Sequence, residues 1–223
     1  VIIPQKVTSF FPGVIFLFIF VRMKKLLITL TFILFTTQIH AQGNDVLSRI
    51  KAAGNSVKTF EADVSNVKQK AGKTYSQDGT LHFVAPNEMA AVFSTGKHFI
   101  VNEKKMKVDI GQFHGTYRLR EGGIPRSLSN IFLYAFQGRC QDLADENDYT
   151  LKVKSSEPYH VITFISKKKR ILGIGYKKVV FKFNNKDLRI KEISLTDYKD
   201  TVDTYSITNI NYNVQVDKNR FQF

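Results

Sequence analysis

Apolar residues occupy every second position through most of this chain. The clearest alternating sets are Leu81 and Phe83; Met89, Ala91 and Phe93; Met106, Val108 and Ile110; Tyr149, Leu151 and Val153; and Val179, Phe181 and Phe183. A β-strand directs successive side chains to opposite faces, so each of these segments has one apolar and one polar face. Many such strands separated by turns predict an antiparallel sheet with a single apolar side.

The alternation predicts eleven strands with short connections between them. Polar or proline-containing turns at Ala71–Lys73 and at Pro86-Asn87 separate the first three. The expected strands span residues 59–70, 75–84, 88–94, 98–102, 105–110, 113–119, 149–155, 160–166, 175–183, 188–196 and 201–209.

A short helix is expected before the first strand. Asn44 or Asp45 can cap it, and it should run through Ala53 with Gly54 as its stop. Three apolar residues fall on one face of this helix, so it should lie on an apolar surface. These residues are Val46, Leu47 and Ile50.

A second, strongly apolar helix interrupts the strands in the middle of the chain. Five apolar residues follow at helical spacing: Leu128, Ile131, Phe132, Ala135 and Phe136. Pro125 fits the first turn of this helix and Gly138 fits its end. Residues 142–147 are expected to add only an irregular turn.

These elements predict a mainly β (α+β) fold. An antiparallel sheet of about eleven strands twists and curls, and if it does not close completely the helices must cover its apolar side. We therefore expect an incomplete antiparallel β-barrel with a helical lid. No repeat or second-domain linker is evident.

The N-terminal residues predict export from the cytoplasm. Met23-Lys24-Lys25 precedes a short apolar run and Ala41, the pattern of a secretory signal peptide, with cleavage expected after Ala41. We interpret residues 1–22 as upstream translated sequence and residues 42–223 as one domain. The alternative is that residues 1–22 form an N-terminal extension that anchors the protein in the inner membrane.

The net positive charge of the chain indicates which classes of molecule it can bind. The formal charge is +14, and only four of the 33 basic residues and none of the 19 acidic ones precede Gln42. Such a surface attracts anions, among them acidic lipid headgroups. Export argues against nucleic acid, and the basic clusters Lys167-Lys168-Lys169-Arg170 and Lys177-Lys178 are typical of solvated hairpin ends.

The sequence contains no recognisable catalytic or metal-binding motif. The five His residues are scattered singly, so neither a metal site nor a cofactor is expected. Cys140 has no second Cys to pair with and is expected to be a small buried side chain. The acidic residues Asp197, Asp200 and Asp203 are typical of a charged hairpin. We therefore expect a protein that is not an enzyme.

Three short sequence segments occur in the same order as the motifs of a known family. Val57–Val64 reads V-K-T-F-E-A-D-V, Gly79–Phe83 reads G-T-L-H-F and precedes Pro86-Asn87, and Asp217–Phe223 reads D-K-N-R-F-Q-F. They resemble the entry strand, the G-x-L-x-F and P-N segment and the terminal D-x-x-x-F-x-F of the LolA family, the periplasmic carriers of outer-membrane lipoproteins. In layout, the resemblance covers almost all of residues 42–223.

The resemblance implies a periplasmic carrier, here a monomer, whose hydrophobic interior holds lipoprotein acyl chains during transit between the membranes. An inner-membrane ABC-type release complex would load it, and an outer-membrane receptor or the outer membrane itself would accept the cargo. One feature departs from the family. Ala85 stands where the family often has a basic residue whose hydrogen bonds hold the lid shut, and Ala91 stands where it has Trp.

The residues that would serve such a carrier are the inward-facing apolar ones, although each could equally belong to an ordinary core. For the acyl-chain cavity we predict Phe60, Leu81, Phe83, Met89, Phe93, Met106, Val108, Ile110 and Phe181. For the lid we predict Val46, Leu47, Ile50, Leu128, Ile131 and Phe132. The alternatives are a LolA-like domain that senses lipids or mislocalised lipoproteins in a regulatory role, and an enzyme built on the same fold.

Overall fold

The computed structural model describes residue 43 and residues 45–110, 113–167 and 175–223. The predicted signal peptide, its cleavage after Ala41 and the interpretation of residues 1–22 lie outside the described residues. Within the part of the chain that is described, no helix is both long and apolar enough to cross a membrane.

The eleven predicted strands form one antiparallel sheet, which does not close. They are β1 (Thr59–Lys70), β2 (Lys73–Val84), β3 (Glu88–Phe93), β4 (His98–Val101), β5 (Lys105–Ile110), β6 (Phe113–Arg118), β7 (Tyr149–Ser156), β8 (Tyr159–Ser166), β9 (Tyr176–Asn184), β10 (Ile190–Asp197) and β11 (Val202–Tyr212). The predicted strand boundaries are correct to within about three residues. Lys177 and Lys178 lie at the start of β9, beside the β8–β9 connection, where the prediction places them, and Lys168–Arg170 lie outside the described residues.

The order of strands across the sheet follows from two meanders. It runs β6-β5-β4-β3-β2-β1-β11-β10-β9-β8-β7. The first meander proceeds outward from β1 to β6, and the second returns inward from β7 to β11, which pairs with β1. The chain therefore crosses between the edge strands β6 and β7, and the central helices lie in that connection.

Three helices accompany the sheet: α1 (residues 45–55), α2 (Ile124–Gln137) and α3 (Cys140–Glu146). The ends of α2 are as predicted, with Pro125 in its first turn and Gly138 at its end in the left-handed region, φ 65°. Two expectations were wrong. Helix α1 continues beyond Gly54, and the segment expected to be an irregular turn forms α3.

The core lies on one face of the sheet, as the alternation predicts. Phe60, Ala62 and Val64 of β1 are buried on this face, and the same alternation holds across both meanders. These side chains and those of the helices form one continuous apolar core. We call this the inner face of the sheet and the opposite one the outer face.

The C-terminal segment covers part of the outer face. A short 3₁₀ helix, Lys218–Phe221, places the buried Phe221 against Ala90. His82, next to Ala90 across the β2–β3 pair, is also buried there, and its Nδ1 lies 3.2 Å from Glu61 Oε1. Burial and the charge of Arg220 lower the pKa of His82 below its ordinary 6.5.

This shift predicts a pH-dependent contribution to stability. With its pKa lowered on folding, His82 binds fewer protons in the folded than in the unfolded protein below pH 6.5. Its contribution is therefore fully present above pH 6.5 and decreases as the pH falls below that value. The free energy of unfolding, measured from pH 7.5 to 5, should fall more steeply for the wild type than for His82→Gln. Identical slopes would contradict the prediction.

Candidate functional site

An apolar cavity lies between the inner face of the sheet and α2. All but one of its lining side chains are purely apolar, the exception being a tyrosine. The lining residues are Val64, Leu81, Met89, Ala91, Phe93, Phe99, Ile110, Phe132, Phe136, Ile193, Tyr205 and Ile207. The room left inside is about 10 Å³, enough for roughly one water molecule. We call this the α2 cavity.

The α2 cavity is nearly full because helix α2 inserts two phenylalanines into it. The ring of Phe132 lies 5.0 Å from that of Phe99 and 5.3 Å from that of Tyr205, between centroids. Phe136 contacts Phe60 and Phe83 at 5.1 and 5.4 Å. Every residue from 128 to 137 is buried, so α2 is enclosed on all its faces after its first turn, in which Ile124 is exposed.

A second apolar space lies on the other side of Phe136, beneath α1. Phe136 lines both spaces, and its partner Phe60 lines the second. Ile50, Val57 and Phe183 contribute to the same wall. The side chain of Phe136 therefore forms part of the partition between two apolar spaces.

The predicted site residues are all buried, but only some line these spaces. Five line the α2 cavity: Leu81, Met89, Phe93, Ile110 and Phe132. Phe60 and Ile50 line the second space. The others belong to the same core outside both linings: Phe83, Met106, Val108, Phe181, Val46, Leu47, Leu128 and Ile131.

Several lining residues were missed although the sequence carried a signal for them. Phe136 belongs to the helical apolar pattern of α2. Tyr205 and Ile207 of β11 alternate as the other strands do, and so does Ile193 of β10. What the alternation did not reveal is which inward-facing residues of the second meander lie opposite α2.

Two glycines allow α1 to contact the end of α2 backbone to backbone. A Cβ at Gly54 would lie 2.0 Å from the carbonyl oxygen of Gln137, and a Cβ at Gly138 would lie 2.4 Å from that of Ile50. Neither space can accept a methyl group without a shift of the backbone. Gly54 is thus a packing residue of α1, which is why it does not end the helix.

A side-chain hydrogen bond connects α2 to the β2–β3 turn. Gln137 Nε2 donates to the carbonyl oxygen of Pro86 at 2.8 Å and to that of Leu133 at 2.9 Å. Pro86 follows Ala85, the position where the resemblance implied a basic residue. In this chain the hydrogen-bond donor between helix and turn is therefore the Gln137 amide of α2.

Arg189 connects the end of α1 to the sheet. Its guanidinium donates to the carbonyl oxygen of Ala53 and, at 2.9 Å, to Ser56 Oγ, and it lies over the ring of Tyr212. A cation near the last carbonyl groups of a helix is favourable, because those groups carry partial negative charge.

Charged side chains connect α3 to the other two helices. Asp142 Oδ2 accepts a hydrogen bond from Arg139 Nε at 2.6 Å, and Asp142 Oδ1 lies 3.3 Å from Lys51 Nζ of α1. Glu146 accepts from the hydroxyl of Tyr134 at 2.8 Å. Burial, followed by this hydrogen bond, raises the pKa of Tyr134 to about 12. The three helices are therefore connected to one another by polar contacts, and together we call them the lid.

The three acidic residues lie along one hairpin, as predicted, but they differ in burial. Asp197 ends β10, Asp200 lies between β10 and β11, and Asp203 of β11 is buried on the inner face. Its Oδ2 lies 3.9 Å from Lys68 Nζ, its neighbour across the β1–β11 pair. Burial raises the pKa of Asp203, and the charge of Lys68 opposes that shift.

The described residues bring together no group of three or more metal-binding side chains. Cys140 is buried as predicted, and burial raises the pKa of its thiol. A buried thiol with a raised pKa is unreactive at neutral pH.

No family model matches the sequence, and no curated protein does. Similar folds occur among solved structures. A DUF1329 family protein from Desulfovibrio piger is 14% identical, with 82% of this chain and 97% of that one covered at a TM-score of 0.44. A LolA superfamily protein from Nitrosomonas europaea is 9% identical, with 81% and 97% covered at 0.40. The lipoprotein LppX of Mycobacterium tuberculosis is 12% identical, with 78% and 99% covered at 0.35. These values concern the fold and carry no argument about function.

The contact between α1 and α2 predicts an unusual response to a helix-favouring substitution. By helix propensity alone, Gly54→Ala would stabilise α1 by about 1 kcal/mol. We expect instead a loss of about 1–3 kcal/mol in the free energy of unfolding, because the methyl group would overlap the Gln137 carbonyl. Asn55→Ala, at the exposed neighbouring position, is the control and should change stability little. A more stable Gly54→Ala protein in chemical denaturation would contradict the contact.

The hydrogen bond from Gln137 predicts a local effect on the lid. Gln137→Met keeps the length of the side chain but removes the donor to Pro86, and should lower the free energy of unfolding by about 1–2 kcal/mol. Hydrogen exchange at the C-terminal end of α2 should become faster. Gln141→Met on α3, whose hydrogen bond is exposed, is the matched control. Equal exchange in the two variants would show that the bond does not hold α2.

Proposed function

We propose that this protein binds acyl chains of lipoproteins between the sheet and α2 and carries them through the periplasm. The observation that carries the proposal is the α2 cavity, whose lining offers only apolar surface and one tyrosine hydroxyl. Such a lining suits binding without catalysis, because it contains no nucleophile, carboxylate or imidazole that could act on a substrate.

The hydrophobic effect explains why a carrier needs such a space. Each methylene group of an acyl chain removed from water contributes about 0.8 kcal/mol, so a chain of many methylenes gains several kcal/mol in a dry cavity. Flexible Met89 and the aromatic rings of the lining make an adaptable surface that needs no fixed ligand shape.

The acyl chain must replace the protein's own side chains. The α2 cavity has room for roughly one water molecule, so a chain enters only if the rings of Phe132 and Phe136 move out. These rings then act as an internal substitute for the cargo, which keeps the inner face covered when no cargo is present. Binding is therefore an exchange of one apolar partner for another, and it shifts the protein toward an open state.

Two glycine positions flank the element that would move. Gly122 precedes α2 with φ 69° and open space around it, so the chain has backbone freedom at this end of the helix. Gly138 follows α2 with φ 65° and packs against the Ile50 carbonyl, so this contact would have to break. The hydrogen bond from Gln137 to Pro86 would then have to break as α2 leaves the sheet.

The proposal includes partners and location. The cargo would be received from an inner-membrane ABC-type release complex and delivered to an outer-membrane receptor or to the outer membrane, with the protein acting as a monomer in the periplasm. These parts of the proposal depend on the resemblance of the sequence to the LolA family.

The test uses a palmitoylated peptide and the same peptide without its palmitoyl group. We expect the wild type to bind only the acylated form, as measured by calorimetry. Phe136→Ala should lower the free energy of unfolding by about 3–5 kcal/mol but bind the acylated peptide more tightly, since it removes the ring that occupies the space. Phe136→Leu makes a milder change in the same direction.

The control is Phe164→Ala, which removes a fully buried ring that lines neither apolar space. It should lose comparable stability without any gain in affinity. If the wild type and both Phe136 variants fail to bind the acylated peptide, or if they bind the two peptides equally, the proposed function is wrong.

A further inference from the structure

The inner face of the sheet changes from apolar to polar along β1. Phe60, Ala62 and Val64 belong to the apolar core, whereas the next residues on the same face are Asn66, Lys68 and Lys70. A pocket of about 380 Å³ opens at this end of the sheet. It is lined by Asn66, Lys68, Lys70, Tyr75, Ser76, Gln77, Thr95 and Lys97, and we call it the lysine pocket.

The lysine pocket begins where the α2 cavity ends. Val64 lines the cavity and Asn66 lines the pocket, and two residues along a strand span about 6–7 Å. Phe93, the last residue of β3, also lines the cavity, and Thr95 in the turn after it lines the pocket. Tyr205 of the cavity wall is the direct neighbour of Asn66 across the β1–β11 pair. One molecule of modest length could therefore contact both spaces.

The charges of the lysine pocket favour an anion. Three lysines line it, and its lining contains no carboxylate. The buried Asp203 lies beneath Lys68 and offsets part of that charge, at 3.9 Å between Oδ2 and Nζ. Lys70 and Lys97 are exposed, so their ammonium groups are free to approach a ligand from the open side.

Hydrogen bonds hold the polar floor of the pocket in place. Thr95 Oγ1 donates to Gln77 Oε1, and Gln77 Nε2 donates to Asn66 Oδ1 at 3.2 Å. Asn66 Nδ2 in turn donates to the backbone carbonyl oxygen of Thr204 at 3.4 Å. This chain of contacts runs from the β3–β4 turn through β2 and β1 to β11, so the boundary between the apolar and polar spaces has a fixed structure.

We infer that the lysine pocket receives the anionic headgroup of an amphiphile whose acyl chain occupies the α2 cavity. The inference rests on the proposed function and adds a substrate class to it: amphiphiles with a negatively charged group close to the acyl chain. Contacts of exposed lysines with an anion are individually weak and sensitive to salt. The headgroup therefore determines orientation and selectivity, while the acyl chain supplies most of the affinity.

The experiment compares two lysophospholipids that carry the same acyl chain, below their critical micelle concentrations. One is anionic lysophosphatidylglycerol, and the other is zwitterionic lysophosphatidylcholine. We expect the wild type to prefer the anionic lipid and to lose that preference at high salt. The triple variant Lys68→Gln, Lys70→Gln, Lys97→Gln should bind the anionic lipid on the order of tenfold more weakly and the zwitterionic lipid unchanged.

The matched control removes the same number of charges elsewhere. Lys107→Gln, Lys152→Gln, Lys154→Gln changes lysines that alternate with inward-facing apolar residues and so lie on the outer face. This variant should keep the preference for the anionic lipid. If both triple variants lose affinity equally, the effect is one of net charge and the inference is overturned.

The remaining outcomes separate the inference from the proposed function. If the wild type binds both lipids equally and the pocket variant is unchanged, acyl binding stands and the headgroup site is wrong. If neither lipid binds, the proposed function fails first. Inorganic phosphate is the third probe: if it binds the same lysines as tightly as the anionic lipid does, the pocket is a site for free anions, and the inference is overturned.

Discussion

The structure depends on how the inner face of an open eleven-stranded sheet is kept from water. A closed barrel would cover that face by itself, but here the edge strands β6 and β7 do not pair. Helix α2 covers the face, and it does so with Phe132 and Phe136 packed against rings of β1, β2, β4 and β11. The polar contacts of the lid hold this helix in position. The same apolar side chains therefore form the core of the folded protein and the wall of the proposed binding space.

Under the proposed function, this arrangement links stability to binding. A side chain of α2 that stabilises the unloaded protein would compete with an acyl chain for the same apolar wall. Opening would require α2 to give up its contacts with the sheet, among them the neutral hydrogen bond from Gln137 to the carbonyl oxygen of Pro86. The inner face of β1 changes from apolar at Phe60 to charged at Lys70. This change would orient the proposed cargo, with its apolar part beneath α2 and its polar part at the open end.

Much of the fold could be predicted because a period of two is a local signal. Each strand appears in the sequence by itself, and the spacing of Leu128 to Phe136 distinguishes α2 from the strands around it. The end of α1 was mispredicted for a reason that is not local. Gly54 has the sequence signature of a helix stop. In the structure it lies in the last turn of α1, where its missing Cβ leaves room for the Gln137 carbonyl, more than eighty residues away in the chain.

The same limit applies to the candidate site. Alternation shows which residues of a strand face inward, but not which of them lie opposite α2, so Phe99 and Tyr205 were missed while Met106 and Phe181 were included. The burial of Asp203 could not be predicted from the sequence, because it depends on the pairing of β11 with β1. The hydrogen bond from Gln137 to Pro86, next to Ala85, joins positions 51 residues apart and could not be predicted from the local sequence. The three lysines of the pocket come together only when β1 and the β3–β4 turn are placed on either side of β2.

Photocrosslinking with an acyl chain that carries a diazirine near its methyl end tests the central claim most directly. After irradiation, mass spectrometry of the digested protein locates the attachment. The account predicts crosslinks to lining residues of the α2 cavity, above all in the peptides that contain Leu81, Phe93 and Phe132, and their loss in the presence of excess unlabelled chain. Crosslinks confined to the outer face or to exposed loops, with none in these peptides, would contradict it.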